Sequence, residues 1–249
     1  MLKTLGVVEV RAERVGRRLT ACRKLGGKSL LEWVVGRMTE GQRLDQVVVL
    51  SPQITAASEL AELAPPNVPF ILSHCGDTLG RYVDLLEQYP TEAVVRVVAE
   101  HPFVDPVLID RLVNIADQHS DADYVGYCSR TGRPVIRSTL GGIGEWISAA
   151  ALRRANRTAS DRSHRECVTS FICSHPENFQ LRLAPIPREL DREDLRLTIG
   201  GEEDWERTQT IFEALGPEHL DYERVAKLLH HQPALRKRMA ALNRTVGAA

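Results

Sequence analysis

The regular alternation of short apolar, β-branched runs with segments of helical spacing constrains this chain more than any other feature. Leu5–Val10 (LGVVEV), Val47–Leu50, Phe70–Leu72, Val94–Val98 and Tyr124–Tyr127 are short and apolar almost throughout, as strands buried on both faces are. Between them, Ser29–Met38 places Leu30, Leu31, Val34, Val35 and Met38 on one helical face. Thr55–Leu63, Leu79–Leu86 and Leu108–Ala116 also read as helices. A β-α-β-α order of this kind predicts an α/β fold of three layers, with helices on both sides of a mostly parallel sheet. Sheets of that class take ligands in the crevice beyond the carboxyl ends of their strands.

The second half is less regular. Arg130–Glu145 is rich in glycine and basic residues and reads as loop or hairpin. Ser148–Asn156 reads as a helix, Leu181–Ile186 and Leu195–Ile199 as further strands, and Glu202–Leu215 as an amphipathic helix. Asp221–Asn243 carries two helical pieces punctuated by Pro233. The expected organisation is a main α/β domain over residues 1–216 and a helical appendage over 217–249, the latter serving packing or an oligomer contact.

Composition narrows the function. The 249 residues carry a formal net charge of −1, which argues against a nucleic-acid binder over the whole surface. Met1–Val10 lacks the pattern of a secretory signal, and no run approaches the ~18 apolar residues that span a bilayer, so no membrane partner is expected. The five cysteines, Cys22, Cys75, Cys128, Cys167 and Cys173, are scattered without a C-x-x-C pair. That favours plain thiols in a reducing, cytoplasmic setting over a disulfide framework or a zinc site.

Four segments have the residue types for chemistry. Arg11–Lys28 follows the first strand and holds seven Lys or Arg against one acid. Guanidinium forks suit phosphates, so this is either a phosphate-binding loop or a solvated basic one. It contains neither G-x-x-x-x-G-K-[ST] nor G-x-G-x-x-G. Arg96–Asp105 ends a strand in Glu100 and His101. Glu100 and Asp105 are candidate oxygen ligands for Mg²⁺; Glu100 reads otherwise as a surface acid, and Asp105, before Pro106, as a helix cap, the reading its position favours. In Cys75–Tyr82, Asp77 suits a cap and Arg81 lies one turn in, facing a ligand or a neighbouring carboxylate. In Arg165–Thr169, Arg165 and Glu166 either pair locally or face the cleft.

Taken in order, these segments resemble the cytidylyltransferases of surface-polysaccharide biosynthesis. The spore-coat polysaccharide type is nearest, a relative of CMP-KDO synthetases and acylneuraminate cytidylyltransferases. Val7–Lys28 stands where that family has a strand, A-R-x-x-S-x-R-L-P-G-K and L-G-G-K, with Arg11 at the first arginine and Leu25-Gly26-Gly27-Lys28 intact. Gly76–Tyr82 resembles D-D-V-L-x-R-Y, Val94–Pro106 resembles V-V-R-x-T-x-D-x-P-L-I-D-P, Arg165–Thr169 resembles R-E-H-V-T, and Leu195–Asp204 resembles L-R-W-T-V-D-T-P-E-D. The resemblance implies a GT-A-like nucleotidyltransferase fold in which a sugar-acid oxygen attacks the α-phosphate of CTP and pyrophosphate leaves, with Mg²⁺ as cofactor. It assigns catalytic roles to Arg11, Arg18 and Lys24, and nucleotide binding to Arg11, Arg17, Arg18, Lys28, Arg81 and Glu100. Glu100 is its metal ligand, and Gly141, Glu145, Arg165 and Glu166 its acceptor contacts. A homodimer is in keeping with such relatives.

The chain departs from that pattern at several of these positions. Thr20 falls at the phosphate-binding lysine in an ungapped alignment, with Arg23 or Lys24 as substitutes on a different loop path. Glu100 replaces an aspartate, and Gly200 stands at the second metal-binding aspartate. Gly141-Gly142-Ile143-Gly144-Glu145 keeps the ends of G-L-D-V-E without its aspartate. Three readings therefore stand: an active transferase whose metal uses Glu100 with Glu202 or Glu203; a non-catalytic homologue that binds a nucleotide, a sugar nucleotide or a partner subunit; and another sugar-nucleotide chemistry on the same sheet.

Overall fold

The computed structural model describes residues 1–12, 14–15 and 18–246. Seven strands make its central sheet: β1 (Leu2–Glu9), β2 (Gln46–Pro52), β3 (Phe70–Ser73), β4 (Thr91–Val98), β5 (Tyr124–Cys128), β6 (Glu145–Ser148) and β7 (Leu181–Pro185). Their order across the sheet is β7-β5-β6-β4-β1-β2-β3. Every neighbouring pair is parallel except those made by β6, which runs antiparallel to β4 and β5. The α/β expectation is therefore met by a mostly parallel sheet with one reversed strand.

Helices α1 (Leu30–Thr39), α2 (Ala57–Leu63), α3 (Thr78–Gln88), α4 (Pro106–Gln118) and α5 (Ala149–Thr158) cover the sheet. Alternation along the strands sets which helix meets which face. Leu5 and Val7 of β1 and Val94 of β4 pack with Leu79, Tyr82 and Leu85 of α3 and Leu152 of α5. Val8, with Val95 and Val97, packs instead with Leu31, Val34 and Val35 of α1 and Ile109 and Val113 of α4. Each such side chain, fully buried, stabilises by about 1.5–3 kcal/mol relative to exposure.

Helix starts follow capping chemistry. Ser29 and Glu32 form a reciprocal capping box on α1. Asp77 accepts the Gly80 N–H at the head of α3, and Asp105 accepts the Val107 N–H before Pro106 opens α4. Asp105 also accepts the Tyr222 N–H at 2.8 Å, so it is a helix cap that also ties down the C-terminal region.

Beyond β6 the chain forms α6 (Arg162–Glu166), α7 (Ser170–Ser174), α8 (Glu202–Leu215), α9 (Tyr222–His230) and α10 (Pro233–Val246). Trp205, Ile211 and Phe212 of α8, Val225 and Leu229 of α9 and Met239 of α10 share a core with Leu108 and Leu112 of α4 and with Val125 and Tyr127 of β5. No helix among the described residues is long and apolar enough to cross a membrane. The five cysteines are free.

Two expectations need correction. Leu195–Ile199 is not a sheet strand. Its alternating Leu195, Leu197 and Ile199 are buried in the α8–α10 core, and Leu197 bonds through its backbone to Thr139 and Leu140. Alternating apolar residues mark positions turned to a core, and a loop laid over a core has them as well as a strand does. The loop-or-hairpin reading of Arg130–Glu145 and the helix reading from Ser148 also leave out a strand, β6, which spans their junction antiparallel between β4 and β5.

Candidate active site

The carboxyl ends of β1 and β4 lie side by side, with Glu9 in register with Val98. The Ala99 N–H donates to the Glu9 carbonyl at 2.8 Å, so the segments carrying Arg11 and Glu100 leave the sheet together. This is the ligand-binding edge of a parallel sheet.

Beneath that edge lies a buried ionic network. Glu9, Arg96 and Glu145 are 3%, 2% and 0% exposed. Arg96 Nε donates to Glu9 Oε2 at 2.6 Å and its Nη2 to Oε1 at 3.2 Å, while Nη1 donates to Glu145 Oε1 at 2.5 Å. The Tyr82 hydroxyl donates to Glu9 and the Tyr124 hydroxyl to Glu145, both at 3.1 Å. From the rim, Arg11 Nε reaches Glu9 Oε1 at 3.3 Å.

Burial pushes the Glu9 carboxyl up, but the Arg96 charge and hydrogen bond outweigh it, and with Arg11 and Tyr82 they bring it down to about 2. Burial and the facing carboxylates raise both tyrosines, which stay protonated donors. His101 is held neutral: burial first, then Arg11 and Arg96, lower its imidazole to about 3.

A pH dependence follows. Glu9 titrates lower in the folded chain than its ordinary value of 4.5, so its contribution is complete above pH 4.5 and is lost as pH falls towards 2. Across that window the unfolded chain binds the extra proton, and stability drops by up to about 1.4 kcal/mol per pH unit from this group. Urea midpoints measured from pH 5 to 2.5 are expected to fall less steeply in Glu9→Gln. Equal slopes in the two proteins would contradict the assignment.

The Arg11–Lys28 segment is more structured than a solvated loop. Arg14–Val15 pairs with Arg18–Leu19, Lys24–Leu25 pairs with Lys28–Ser29, and Thr20–Cys22 forms a buried 3₁₀ turn between them. Thr20, at the position expected for the phosphate lysine, is thus inside. Arg18 and Lys24 are exposed, and Arg17 lies outside the described residues. Lys28 stands over the Trp33 ring at 5.0 Å. Arg23 is engaged elsewhere: its guanidinium grips Glu202 through two bonds of 2.6 and 2.7 Å and stacks 4.2 Å from the Trp205 ring centroid. The same hydrogen bond lowers the Glu202 carboxyl. Arg23 and Glu202 therefore fasten the loop to the first turn of α8.

Gly26 makes the second attachment. Its φ is +58°, and a Cβ there would lie 2.4 Å from the Phe212 ring. Gly26→Ala combines a left-handed backbone penalty with overpacking, together about 2–4 kcal/mol. Thermal denaturation is expected to show that loss. A melting temperature within a degree of the parent would mean that the loop is not seated on α8.

The other expected contacts distribute unevenly. Gly141 and Gly142 bring their loop against Thr198 and the Phe103 carbonyl, where a Cβ would meet backbone. Glu145 was expected at the acceptor, but its carboxylate lies inside, bonded to Arg96 and Tyr124. Arg165 forms an internal clasp: Nε to Asp77 at 2.9 Å, Nη1 to the Asn156 and Ala159 carbonyls, and Nη2 to Asn156 Oδ1 at 2.8 Å. It ties the end of α5 to the cap of α3. Glu166 is exposed and lies 3.8 Å from Arg162. Arg81 turns back to Thr78 Oγ1 at 2.5 Å and the Cys75 carbonyl.

The two-carboxylate metal centre implied by the resemblance does not fit these residues. Glu100 is buried at 2% exposure. At Gly200, which stands at the second ligand position in the resemblance, a Cβ would lie 3.0 Å from Arg196 Nη2, so a cation occupies the space of a side-chain ligand. Asp204 is gripped by Arg196 at 2.8 and 2.9 Å, by Arg207 and by the Gly200 N–H. No cluster of three or more His, Cys, Asp or Glu able to hold a metal occurs among the described residues. A single ion on Glu100 remains compatible, because Mg²⁺ retains waters and takes phosphate oxygens as ligands.

Sequence reasoning passed over Glu9, Tyr82 and Tyr124. The available signal was an acid and an arginine interrupting strands otherwise apolar on both faces, since a charge so placed requires a buried partner.

The fold is shared with known nucleotidyltransferases. The spore coat polysaccharide biosynthesis protein SpsF of Bacillus subtilis is 29% identical over 140 residues, 55% of this chain and 54% of that protein. A cytidylyltransferase from Leptospira borgpetersenii superposes with a TM-score of 0.83 at 20% identity, over 94% of this chain and 97% of its own. A CMP:2-keto-3-deoxy-manno-octonic acid synthetase solved with CTP superposes with a TM-score of 0.62 at 9% identity, over 85% and 99%. Residues 11–176 match the model of the MobA-like NTP transferase domain, and the chain belongs to that family.

Proposed function

We propose that this protein is a cytidylyltransferase that activates a sugar acid with CTP for surface-polysaccharide biosynthesis. The observation that carries the reading is Arg11, held against Glu9 at the carboxyl edge of β1 and followed in sequence by exposed Arg18 and Lys24. Cations of this kind suit a triphosphate. The similarity to SpsF supports the pathway, and the fold shared with a CTP-bound synthetase supports the nucleotide.

In the proposed reaction a hydroxyl oxygen of the acceptor attacks the α-phosphorus. The bond from that phosphorus to the bridging oxygen breaks, pyrophosphate leaves with the bonding pair, and the hydroxyl proton passes to solvent. Arg11, Arg18 and Lys24 bind the triphosphate and offset the charge that gathers on the leaving pyrophosphate. Glu100 is the residue that would hold a divalent ion brought with the nucleotide, which would supply further charge neutralisation.

Incubation with CTP, Mg²⁺ and a panel of sugar acids tests the reading by pyrophosphate release. Release that depends on one acid supports it. A second reading, a non-catalytic nucleotide binder, is favoured by the Arg196 guanidinium packed against Gly200. CTP binding without pyrophosphate release from any acceptor would select that reading.

A further inference from the structure

We infer that Glu9 is a positioning residue for the nucleotide site, fixing the Arg11 guanidinium at the sheet edge in the orientation that receives a phosphate. The inference rests on the reading that this edge binds a nucleotide.

The argument begins with charge. Two buried carboxylates, Glu9 and Glu145, share one buried guanidinium, Arg96. This trio is left with one negative charge in excess, which is costly where water is excluded. Arg11, two residues beyond Glu9, supplies a further cation: its side chain is 39% exposed, and its Nε reaches Glu9 at 3.3 Å. Glu9 therefore draws Arg11 to one place on the rim.

Geometry makes that attraction directional. Glu9 is itself immobilised from two other elements, by Tyr82 on α3 and by Arg96 on β4. Its orientation is thus set by the core. Arg11 is engaged through Nε, so the contact fixes the plane of the fork in which the two Nη groups lie. A side chain on a rim segment gains the precision of the sheet, as binding groups require of their supporting residues.

The competing account makes Glu9 only the counter-ion of Arg96, and the two accounts predict opposite signs. For a mere counter-ion, Glu9→Gln removes a negative charge near the phosphates, and CTP binds equally well or more tightly. For a positioning residue, CTP binds more weakly although the site has become more positive.

Calorimetric titration of CTP into the full chain, Glu9→Gln, Glu9→Asp, Arg11→Ala and the double variant Glu9→Gln/Arg11→Ala decides, with folding verified by thermal melts. Glu9→Gln is expected to weaken CTP about tenfold, and Glu9→Asp, which withdraws the carboxylate by one methylene, by a similar factor. In the Arg11→Ala background Glu9→Gln is expected to have no further effect beyond about twofold, because coupled residues do not add. Should Glu9→Gln not fold, Glu9→Asp carries the test. Equal or tighter binding by the folded Glu9 variants, or an undiminished Glu9→Gln effect without Arg11, overturns the role of Glu9 and leaves the nucleotide reading intact. A parent protein that binds no nucleotide overturns both.

Discussion

Replacing Arg96 by alanine is expected to lower the melting temperature by roughly 6–20 °C. The substitution leaves Glu9 and Glu145 buried without their shared cation. Breaking a buried ion pair from one side costs about 3–5 kcal/mol, a large part of the ~5–15 kcal/mol that holds a domain together. In a chain of this size each kcal/mol moves the midpoint by about 2–4 °C. The loss should come from the stranded charges and not from missing volume. Hence Glu9→Gln/Arg96→Met/Glu145→Gln, which leaves no charge in the network, is expected to recover most of the stability. A single Arg96→Ala variant melting within about 2 °C of the parent would show that the network is not the electrostatic centre described above.

Arg11→Ala is expected to weaken CTP about a hundredfold while leaving the fold largely intact. A charge-assisted hydrogen bond contributes about 1.5–3 kcal/mol, and each 1.4 kcal/mol is tenfold in affinity. Arg11 sits at the rim, so its loss exposes the Glu9 edge to water instead of stranding it in the core. Arg11→Lys keeps the charge but loses the planar fork, and its affinity is expected to fall between the two. Titration of CTP into each variant reads the effect directly. Unchanged affinity in Arg11→Ala would remove Arg11 from the phosphate site.

The fold was legible wherever a segment had to be apolar on both faces. Leu5–Val10 and Val94–Val98 announced central strands because few other structures bury such runs. Glu145–Ser148 was not legible, because four residues carry too little periodicity to separate a short strand from the loop before it and the helix after it. Leu195–Ile199 misled for the opposite reason: its alternation is real, but it records packing on α8–α10 and not sheet pairing.

The site was legible to a lesser degree. Basic composition after the first strand drew attention to Arg11, Arg18 and Lys24, of which the structure places Arg11 against Glu9 at the sheet edge. It gave no hint that Arg23 would turn to Glu202, a partner 179 residues away. Glu9, Arg96 and Glu145 meet only through strand order, and no local spacing connects them. Arg165 illustrates the same limit, since a basic residue in a matching motif proved to be a clasp between α5 and α3.

The most direct test of the account is a thermal-shift panel with CTP, UTP, ATP and GTP, each with and without Mg²⁺. A ligand bound to the folded state alone adds about 2.7 kcal/mol at a hundredfold excess over its Kd, or roughly 5–11 °C for a chain of this length. The account predicts that rise with CTP and much smaller ones with the other three. No rise with any nucleotide, in either condition, would contradict the claim that the edge carrying Arg11 is a nucleotide site.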